Sequence, residues 1–150
     1  MEVRGDIITC GADYIVHQCN CMTTIGKGLS LDMFAAYPHS DIYSRRRTAD
    51  VPGKNIIVAL DGHPTIVNML AQRSPGKSTY QNDTPQMRIQ WFKQCLDHLA
   101  TVVVPGSTIA FPYKIGCGMA RGSWPTYEEM LIKFSESVKV KNCVVKIMRK

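Results

Sequence analysis

The sequence predicts a three-layer α/β/α domain with a mixed, mostly parallel sheet. Strand-like and helix-like segments alternate along the chain around one hairpin signal, Asp61-Gly62. Two glycine-rich loops, at residues 20–28 and 115–122, each follow an apolar strand and precede a helix. In a parallel sheet such loops meet at the carboxyl ends of neighbouring strands, where ligands bind. A ligand site between the two loops is therefore expected.

Length and composition favour one globular domain over residues 1–150. The chain has 45% hydrophobic and 20% charged residues, which is typical of a folded protein rather than a disordered one. No apolar run approaches the roughly 20 residues of a membrane span, and the N-terminus lacks a basic segment followed by an apolar one. Six cysteines fit a reducing compartment. These features predict a cytoplasmic or nuclear protein without a membrane partner.

The charge balance favours an anionic partner. The formal net charge is +6, with an arginine triplet at residues 45–47 and several lysines in the C-terminal tail. Such an excess also serves solubility alone, so nucleic acid is not the favoured partner. The triplet is interpreted as a solvated surface and not as a site.

The first half of the chain predicts two strands and two helices. Residues 2–9 are predicted as a short strand, in which Asp6 is either a turn residue or an acceptor for the exocyclic amine of a base. Residues 14–19 are predicted as a core strand. A helix should follow the first glycine loop and end before Pro38, and a surface helix and turn should occupy residues 39–55. Helical spacing predicts that the inner face of the first helix carries Leu29, Met33, Ala36 and Tyr37.

The second half predicts a hairpin, two longer helices and two strands. The hairpin strands are residues 56–60 and 65–70, and a polar loop at 72–83 leads to a helix beginning at Thr84-Pro85. A buried strand at 109–111 precedes the second glycine loop, and a last strand spans 143–148. The apolar positions at helical spacing in the two helices are Ile89, Phe92, Leu96 and Leu99, then Tyr127, Met130, Leu131, Phe134 and Val138.

The second glycine loop has the features of a phosphate-binding loop. Glycines allow close approach of the backbone, while free N–H groups and the dipole of the following helix attract anions. Lys114 and Arg121 flank the loop with full positive charges, and Ser123 is placed to cap the helix. The alternative is a tight turn without a ligand.

A metal site is the weaker interpretation of His17, Cys19 and Cys21. These residues would share one face if the strand continued, because side chains alternate along a strand. Their spacing is not that of a zinc finger or ribbon, and no second Cys/His pair follows. A packed histidine with buried thiols, and neither metal nor cofactor, is therefore predicted.

With both loops in view, the sequence resembles the macro domain family. The similarity is to the branch of small ADP-ribose 1''-phosphate phosphatases and terminal ADP-ribose hydrolases. Residues 16–38, VHQCNCMTTIGKGLSLDMFAAYP, are similar to the family's HxCNC, glycine loop and helix ending in YP. Residues 115–124, IGCGMARGSW, are similar to its IGCGL loop and following Trp, and Gly5-Asp6-Ile7 resembles its adenine-recognition turn. The resemblance spans nearly the whole chain and implies the macro domain fold.

The resemblance implies that ADP-ribose or ADP-ribose 1''-phosphate binds between the loops. Asp6, with Ile7, would hold the adenine amine, and Asn20 would contact the distal ribose. The pyrophosphate would lie between Gly26, Lys27 and Gly28 on one side and Ile115, Gly116, Cys117, Gly118 and Met119 on the other. Which aromatic side chain stacks on adenine stays open among Phe111, Tyr113 and Tyr127.

Departures from the family pattern bear on the chemistry. Lysine-dependent hydrolases of the family carry a lysine where this chain has Gln72, and an acid where it has Ala120. A third branch uses an aspartate where this chain has Ser30. Lys27 replaces a residue that is usually small, and it either grips a terminal phosphate or points into solvent.

The favoured function is hydrolysis of ADP-ribose 1''-phosphate to ADP-ribose and phosphate without a metal. The candidate catalytic residues are Asn20, His17 and Asp32; His17 would titrate near neutrality or be structural, and Asp32 would be a base or merely helix surface. One alternative is a non-catalytic reader or sponge for ADP-ribose. The other is a mono-ADP-ribosyl hydrolase without the lysine mechanism, for which ADP-ribosylated macromolecules would be partners.

Overall fold

The computed structural model describes residues 1–150 as six strands and three α-helices. Strands and α-helices alternate along the chain except at two pairs of consecutive strands, one at the N-terminus and one in the hairpin. No helix is long and apolar enough to cross a membrane. The elements are β1 (Glu2–Arg4), β2 (Tyr14–Gln18), α1 (Leu29–Ala36), β3 (Lys54–Val58), β4 (Thr65–Leu70), α2 (Pro85–Val102), β5 (Thr108–Pro112), α3 (Trp124–Val138) and β6 (Val144–Arg149).

The six strands form one mixed sheet in the order β1-β6-β5-β2-β4-β3. Every neighbouring pair is parallel except β3 and β4, which form the antiparallel hairpin around Asp61-Gly62. The prediction of a mixed, mostly parallel sheet is confirmed.

Helices cover both faces of the sheet and create the three layers. On one face, Phe92 and Leu99 of α2 and Leu131 of α3 pack against the side chains that the central strands direct to that face. On the other face, Met33 of α1 packs against Ile15 of β2, in a second apolar cluster. The central strands β2, β4 and β5 bury both of their faces, which is why they are almost continuously apolar, whereas all three residues of β1 are exposed.

Three local predictions are wrong. The strand at the N-terminus ends at Arg4, because the Asp6 side chain accepts a hydrogen bond from the N–H of Ile8 and starts a 3₁₀ turn, Ile7–Thr9. Residues 39–55 contain turns and a 3₁₀ segment, Pro38–Ser40, but no α-helix. On α1, Met33 is buried and Leu29 and Tyr37 pack against the same cluster, as predicted, but Ala36 is exposed and Phe34 is buried in its place.

The topology brings the two glycine loops together. Strands β2 and β5 are adjacent and parallel, so the loops that follow Gln18 and Pro112 leave the same edge of the sheet. The loops meet where Met119 Cε lies 3.2 Å from the position that a Cβ on Gly28 would occupy. A side chain at Gly28 would therefore crowd the opposite loop.

Candidate functional site

A cleft of about 630 Å³ opens at this edge of the sheet. Its walls are the first loop (residues 20–28) with the start of α1, the second loop (residues 115–122) with Tyr113 and Lys114 before it, and the 72–83 loop. Predicted site residues among its lining are His17, Asn20, Lys27, Gly28, Ile115, Gly116, Gly118 and Met119. The volume lies in the range of small-molecule sites, about 300–1,000 Å³.

Backbone N–H groups without acceptors are present on both sides of the cleft. In the second loop, the N–H groups of Gly116, Gly118 and Met119 have no hydrogen-bond acceptor within the protein. On the opposite wall the same holds for Lys27 and Gly28, at the N-terminal end of α1. Unpaired N–H groups at a helix start and in a glycine loop carry partial positive charge and favour an anion between them.

All charged side chains that line the cleft are positive. Lys27 and Lys114 line it, and no aspartate or glutamate does. Both lysines are exposed, so their charges act partly through solvent. The cleft is electrostatically suited to a negatively charged ligand and holds no carboxylate that could act as a general base.

The second loop is folded tightly on itself. The N–H of Gly122 donates to the carbonyl of Gly116 at 2.9 Å, and Gly116 has a φ of +76°. A Cβ on Gly116 would lie 2.9 Å from Cε1 of the buried Tyr127, and one on Gly122 would lie 2.6 Å from the Gly116 carbonyl oxygen. Only glycine fits both positions, because real Cβ atoms do not approach so closely. Lys114 and Arg121 flank the loop with φ values of 59° each, which is the left-handed region.

Asn20 shapes the first loop. Its Oδ1 accepts hydrogen bonds from the N–H groups of Met22 and Thr23, both at 2.9 Å, and its Nδ2 donates to Thr23 Oγ1 at 3.0 Å. Tyr43 Oη accepts from the N–H of Asn20 at 2.8 Å. One Asn20 amide hydrogen is left for a ligand, so the residue both builds the loop and can contact what binds there.

Arg46 supports the same loop through hydrogen bonds to the loop backbone. The interpretation of the whole arginine triplet as a solvated surface is therefore wrong for Arg46. Only 3% of its side chain is exposed. Its guanidinium donates to the carbonyls of Asn20 and Thr23 at 2.9 and 2.8 Å and pairs with Asp50 at 3.0 Å. Arg45 and Arg47 are exposed, as the sequence interpretation expected of all three.

His17 is buried at the base of the cleft as a neutral side chain. Asn68 donates through Nδ2 to the carbonyls of Ser40 and Ile56, so its Oδ1 must accept, and it lies 2.6 Å from His17 Nε2. The histidine therefore carries its proton on Nε2 and presents Nδ1 as an acceptor, 3.4 Å from Ser30 Oγ. Burial lowers the pKa of His17 to about 4, against a weaker opposing effect of the Asn68 hydrogen bond. Of the two alternatives for His17, titration near neutrality or a structural role, its burial and its bond to Asn68 favour the structural one.

The lowered pKa of His17 predicts acid destabilisation above the range where carboxylates titrate. Below pH 6.5 the unfolded chain binds a proton that the folded protein does not, so the free energy of unfolding should fall by about 2 kcal/mol between pH 7 and pH 5. Urea unfolding at the two pH values measures this difference. In His17→Gln the difference should shrink to a few tenths of a kcal/mol, and an equal difference in both proteins would contradict the prediction.

Three predicted site residues do not line the cleft. Asp32 is exposed on α1, so its position does not support a role as base. Asp6 caps the N-terminal 3₁₀ turn, and its other carboxylate oxygen lies 3.4 Å from Lys150 Nζ. Ile7 is buried in the apolar cluster beneath α1.

Two loop residues also face away from the cleft. Gly26 is buried, and a Cβ there would lie 2.9 Å from the backbone nitrogen of Leu31, so this glycine allows the first loop to pack on α1. Cys117 packs against the core and donates through Sγ to the carbonyl of Ile115. Burial raises the pKa of Cys117 to about 11, which keeps it a neutral thiol.

The thiols near His17 are not arranged as a metal centre. Cys19 and Cys21 are buried, and burial raises the pKa of Cys21 to about 11. No group of three or more His, Cys, Asp or Glu side chains is placed to hold a metal ion.

Sequence reasoning missed a buried polar system behind the 72–83 loop. Gln18 Nε2 donates to Gln72 Oε1 at 2.7 Å, and Gln72 Nε2 donates to the Ser74 carbonyl at 2.9 Å. The same carbonyl accepts from Arg88, which pairs with Asp83 at 2.7 Å. The available signal was an arginine one turn into a helix whose N-cap, Thr84, follows an aspartate.

No family model and no curated protein matches the chain. Solved structures do match over its whole length. A protein from Bacteroides thetaiotaomicron is 22% identical, with a TM-score of 0.76, over 99% of this chain and 97% of that one. The macrodomain of Mycobacterium tuberculosis DarG is 21% identical, with a TM-score of 0.74, over 100% and 98%.

A third similar structure contains a ligand. Thermosipho africanus DarTG, solved in complex with ADP-ribose, is 13% identical with a TM-score of 0.72, over 96% of this chain and 39% of that one. Likeness at this level of identity shows the fold alone, so the ligand of this chain has to be inferred from its own residues. The chain has the macrodomain fold.

Proposed function

We propose that the cleft binds ADP-ribose. The observation that carries the proposal is the set of unpaired backbone N–H groups on both sides of a cleft that has two lysines and no carboxylate. A pyrophosphate presents acceptor oxygens in several directions and so can use donors from two loops at once. The pyrophosphate would lie between Lys27 and Gly28 on one wall and the second loop on the other.

The two ends of the ligand have separate contacts. The distal ribose would lie against Asn20 and Ser30, which both line the cleft. The adenine end extends past Tyr113 towards Asp6, which follows β1 at the same edge of the sheet. Binding of the adenine amine by Asp6 would compete with the exposed ion pair to Lys150, which is a weak interaction.

The favoured reaction is hydrolysis of ADP-ribose 1''-phosphate. Lys27 supplies a point charge for the terminal phosphate, and Asn20 orients the attacking water. Because the cleft has no carboxylate and His17 is a weak, neutral base, the reaction rests on positioning and on stabilisation of charge by N–H groups.

A non-catalytic ADP-ribose reader is the second candidate. It is favoured by the same lack of a general base. It is also favoured because Asn20 Oδ1 already accepts hydrogen bonds from the N–H groups of Met22 and Thr23. A mono-ADP-ribosyl hydrolase would have to act without a lysine nucleophile, because the position that carries it in relatives is Gln72 here. The Gln72 side chain is hydrogen-bonded to the Gln18 side chain and to the Ser74 carbonyl.

Calorimetry with ADP-ribose, paired with phosphate release from ADP-ribose 1''-phosphate on the same sample, tests these alternatives. Binding with release supports the phosphatase. Binding without release supports the reader, and incubation with an ADP-ribosylated protein then tests the hydrolase. A failure to bind ADP-ribose at millimolar concentration would overturn the proposal.

Substitution of Asn20 separates its two roles. Asn20→Asp keeps the oxygen that accepts from the N–H groups of Met22 and Thr23, and the Thr23 hydroxyl can donate to it in place of accepting from Nδ2. The change replaces the free amide donor with negative charge. We expect phosphate release to fall by about 100-fold with an unchanged melting temperature. Asn20→Ala should also lose the turn, and with it about 1 kcal/mol of stability. Unchanged turnover in Asn20→Asp would remove Asn20 from the mechanism.

A further inference from the structure

Arg88 lies on α2, behind the cleft, with 3% of its side chain exposed. It forms a two-pronged ion pair with Asp83, with Nε to Oδ1 at 2.8 Å and Nη2 to Oδ2 at 2.7 Å. Asp83 is fully buried and also accepts from the N–H of Ser74 at 2.9 Å. A buried pair of this geometry fixes the guanidinium in one orientation.

The remaining hydrogens of the guanidinium reach backbone carbonyls on two separate loops. Nη2 also donates to Ser74 at 3.1 Å, and Nη1 donates to Gly76 at 2.6 Å, both in the 72–83 loop. Nη1 lies 3.4 Å from the carbonyl of Ala120, in the second loop. With Asp83, these contacts engage all five donors of the guanidinium.

The two loops that Arg88 joins form adjacent walls of the cleft. Gly76 and Ala120 both line it, whereas Arg88 does not. The carbonyl of Ala120 is tied back to Arg88, and the N–H groups of Met119 and Ala120 have no acceptor within the protein. Arg88 is therefore placed to fix the loop that presents those donors.

We propose that Arg88 is a positioning residue for the anionic ligand. By holding Gly76 and Ala120 together, it sets the width of the cleft and the direction of the second-loop N–H groups. The inference rests on the proposed ADP-ribose site for its ligand, but the coupling of the two loops can be measured without any ligand.

Arg88→Lys is the sharp test, because lysine keeps the charge opposite Asp83 but has one nitrogen and cannot reach four partners. We expect the Kd for ADP-ribose to rise by roughly 10- to 100-fold at a temperature where circular dichroism shows the variant to be fully folded. Loss of stability alone does not change the Kd of a protein that is fully folded. Arg45→Lys is the matched control: Arg45 is exposed, donates to the carbonyls of Pro38 and His39, and should bind as the unaltered protein does.

Hydrogen exchange without ligand tests the loop coupling independently. In Arg88→Lys, the hydrogen-bonded amides of Cys117, Arg121 and Gly122 should exchange about tenfold faster, while those of the central strands stay protected. If the lysine variant does not fold, Asp83→Asn with Arg88→Met removes both charges, keeps an acceptor for Ser74 and should give the same result.

The outcomes separate the two proposals. Faster exchange in a protein that never binds ADP-ribose supports the positioning role and overturns the proposed ligand. Unchanged exchange overturns the positioning role, and so does an unchanged Kd in Arg88→Lys.

Discussion

Gly116→Val is expected to weaken ADP-ribose binding by at least about 100-fold. A β-branched residue at a φ of +76° is strained by roughly 1–2 kcal/mol. Its Cβ would also lie 2.9 Å from a ring carbon of Tyr127 and 3.0 Å from Gln18 Oε1, and both of these atoms are enclosed. The second loop must move away, which displaces the unpaired N–H groups of Gly118 and Met119 by a distance that costs about two orders of magnitude in affinity.

Gly62→Val is the control for backbone strain. Gly62 has a similar φ of +78°, lies in the β3–β4 turn, and no atom lies within 4 Å of a Cβ built there. The control should lose stability for the same conformational reason and keep its affinity, since it is remote from the cleft. Calorimetry and thermal unfolding of both variants measure the two effects. Equal affinity in both variants would show that the second loop does not determine binding.

The fold and the location of the cleft could be predicted because both depend on local patterns. Alternating apolar strands and amphipathic helices define the layers, and the Asp61-Gly62 turn identifies the single antiparallel pair. Each glycine loop lies between a strand and a helix, so parallel pairing of β2 and β5 brings the loops together. These signals need only the spacing of residues along the chain.

The supports of the cleft could not be predicted, because their partners are backbone carbonyls distant in sequence. Arg46 donates to Asn20 and Thr23, and Arg88 donates to Gly76 and Ala120. Every residue type has a backbone carbonyl, so the sequence does not show which carbonyls an arginine binds. An arginine that binds them therefore looks like a solvated arginine in the sequence. The triplet at residues 45–47 shows the consequence, since one of its three members is buried and the other two are exposed.

Side-chain capping accounts for the error at the N-terminus and for part of the error in the site. Asp6 turns the chain after β1, which places Ile7 in the core rather than in the cleft. The same type of local hydrogen bond uses Asn20 Oδ1 in the first loop. Aspartate and asparagine readily bond to nearby N–H groups, and the sequence alone does not distinguish that role from contact with a ligand.

A negative charge placed inside the cleft should abolish anion binding without disturbing the fold. Gly118 lines the cleft, and a Cβ built on it has no atom within 4 Å and needs no positive φ. The carboxylate of Gly118→Glu would add negative charge to a lining that has no aspartate or glutamate, and this charge would oppose a pyrophosphate. At a separation of roughly 5 Å and an effective dielectric constant of about 20, that repulsion is about 3 kcal/mol, or more than 100-fold in affinity.

Gly118→Gln has almost the same shape without the charge, so the ratio of the two affinities isolates the electrostatic contribution. Calorimetry with ADP-ribose at low and high salt measures it. The glutamate variant should recover part of its lost affinity as salt screens the carboxylate, whereas the glutamine variant should weaken as salt screens Lys27 and Lys114. If the two variants bind equally well, the ligand of this cleft is not held by its negative charge. The unpaired N–H groups of the two loops would then be solvated rather than used.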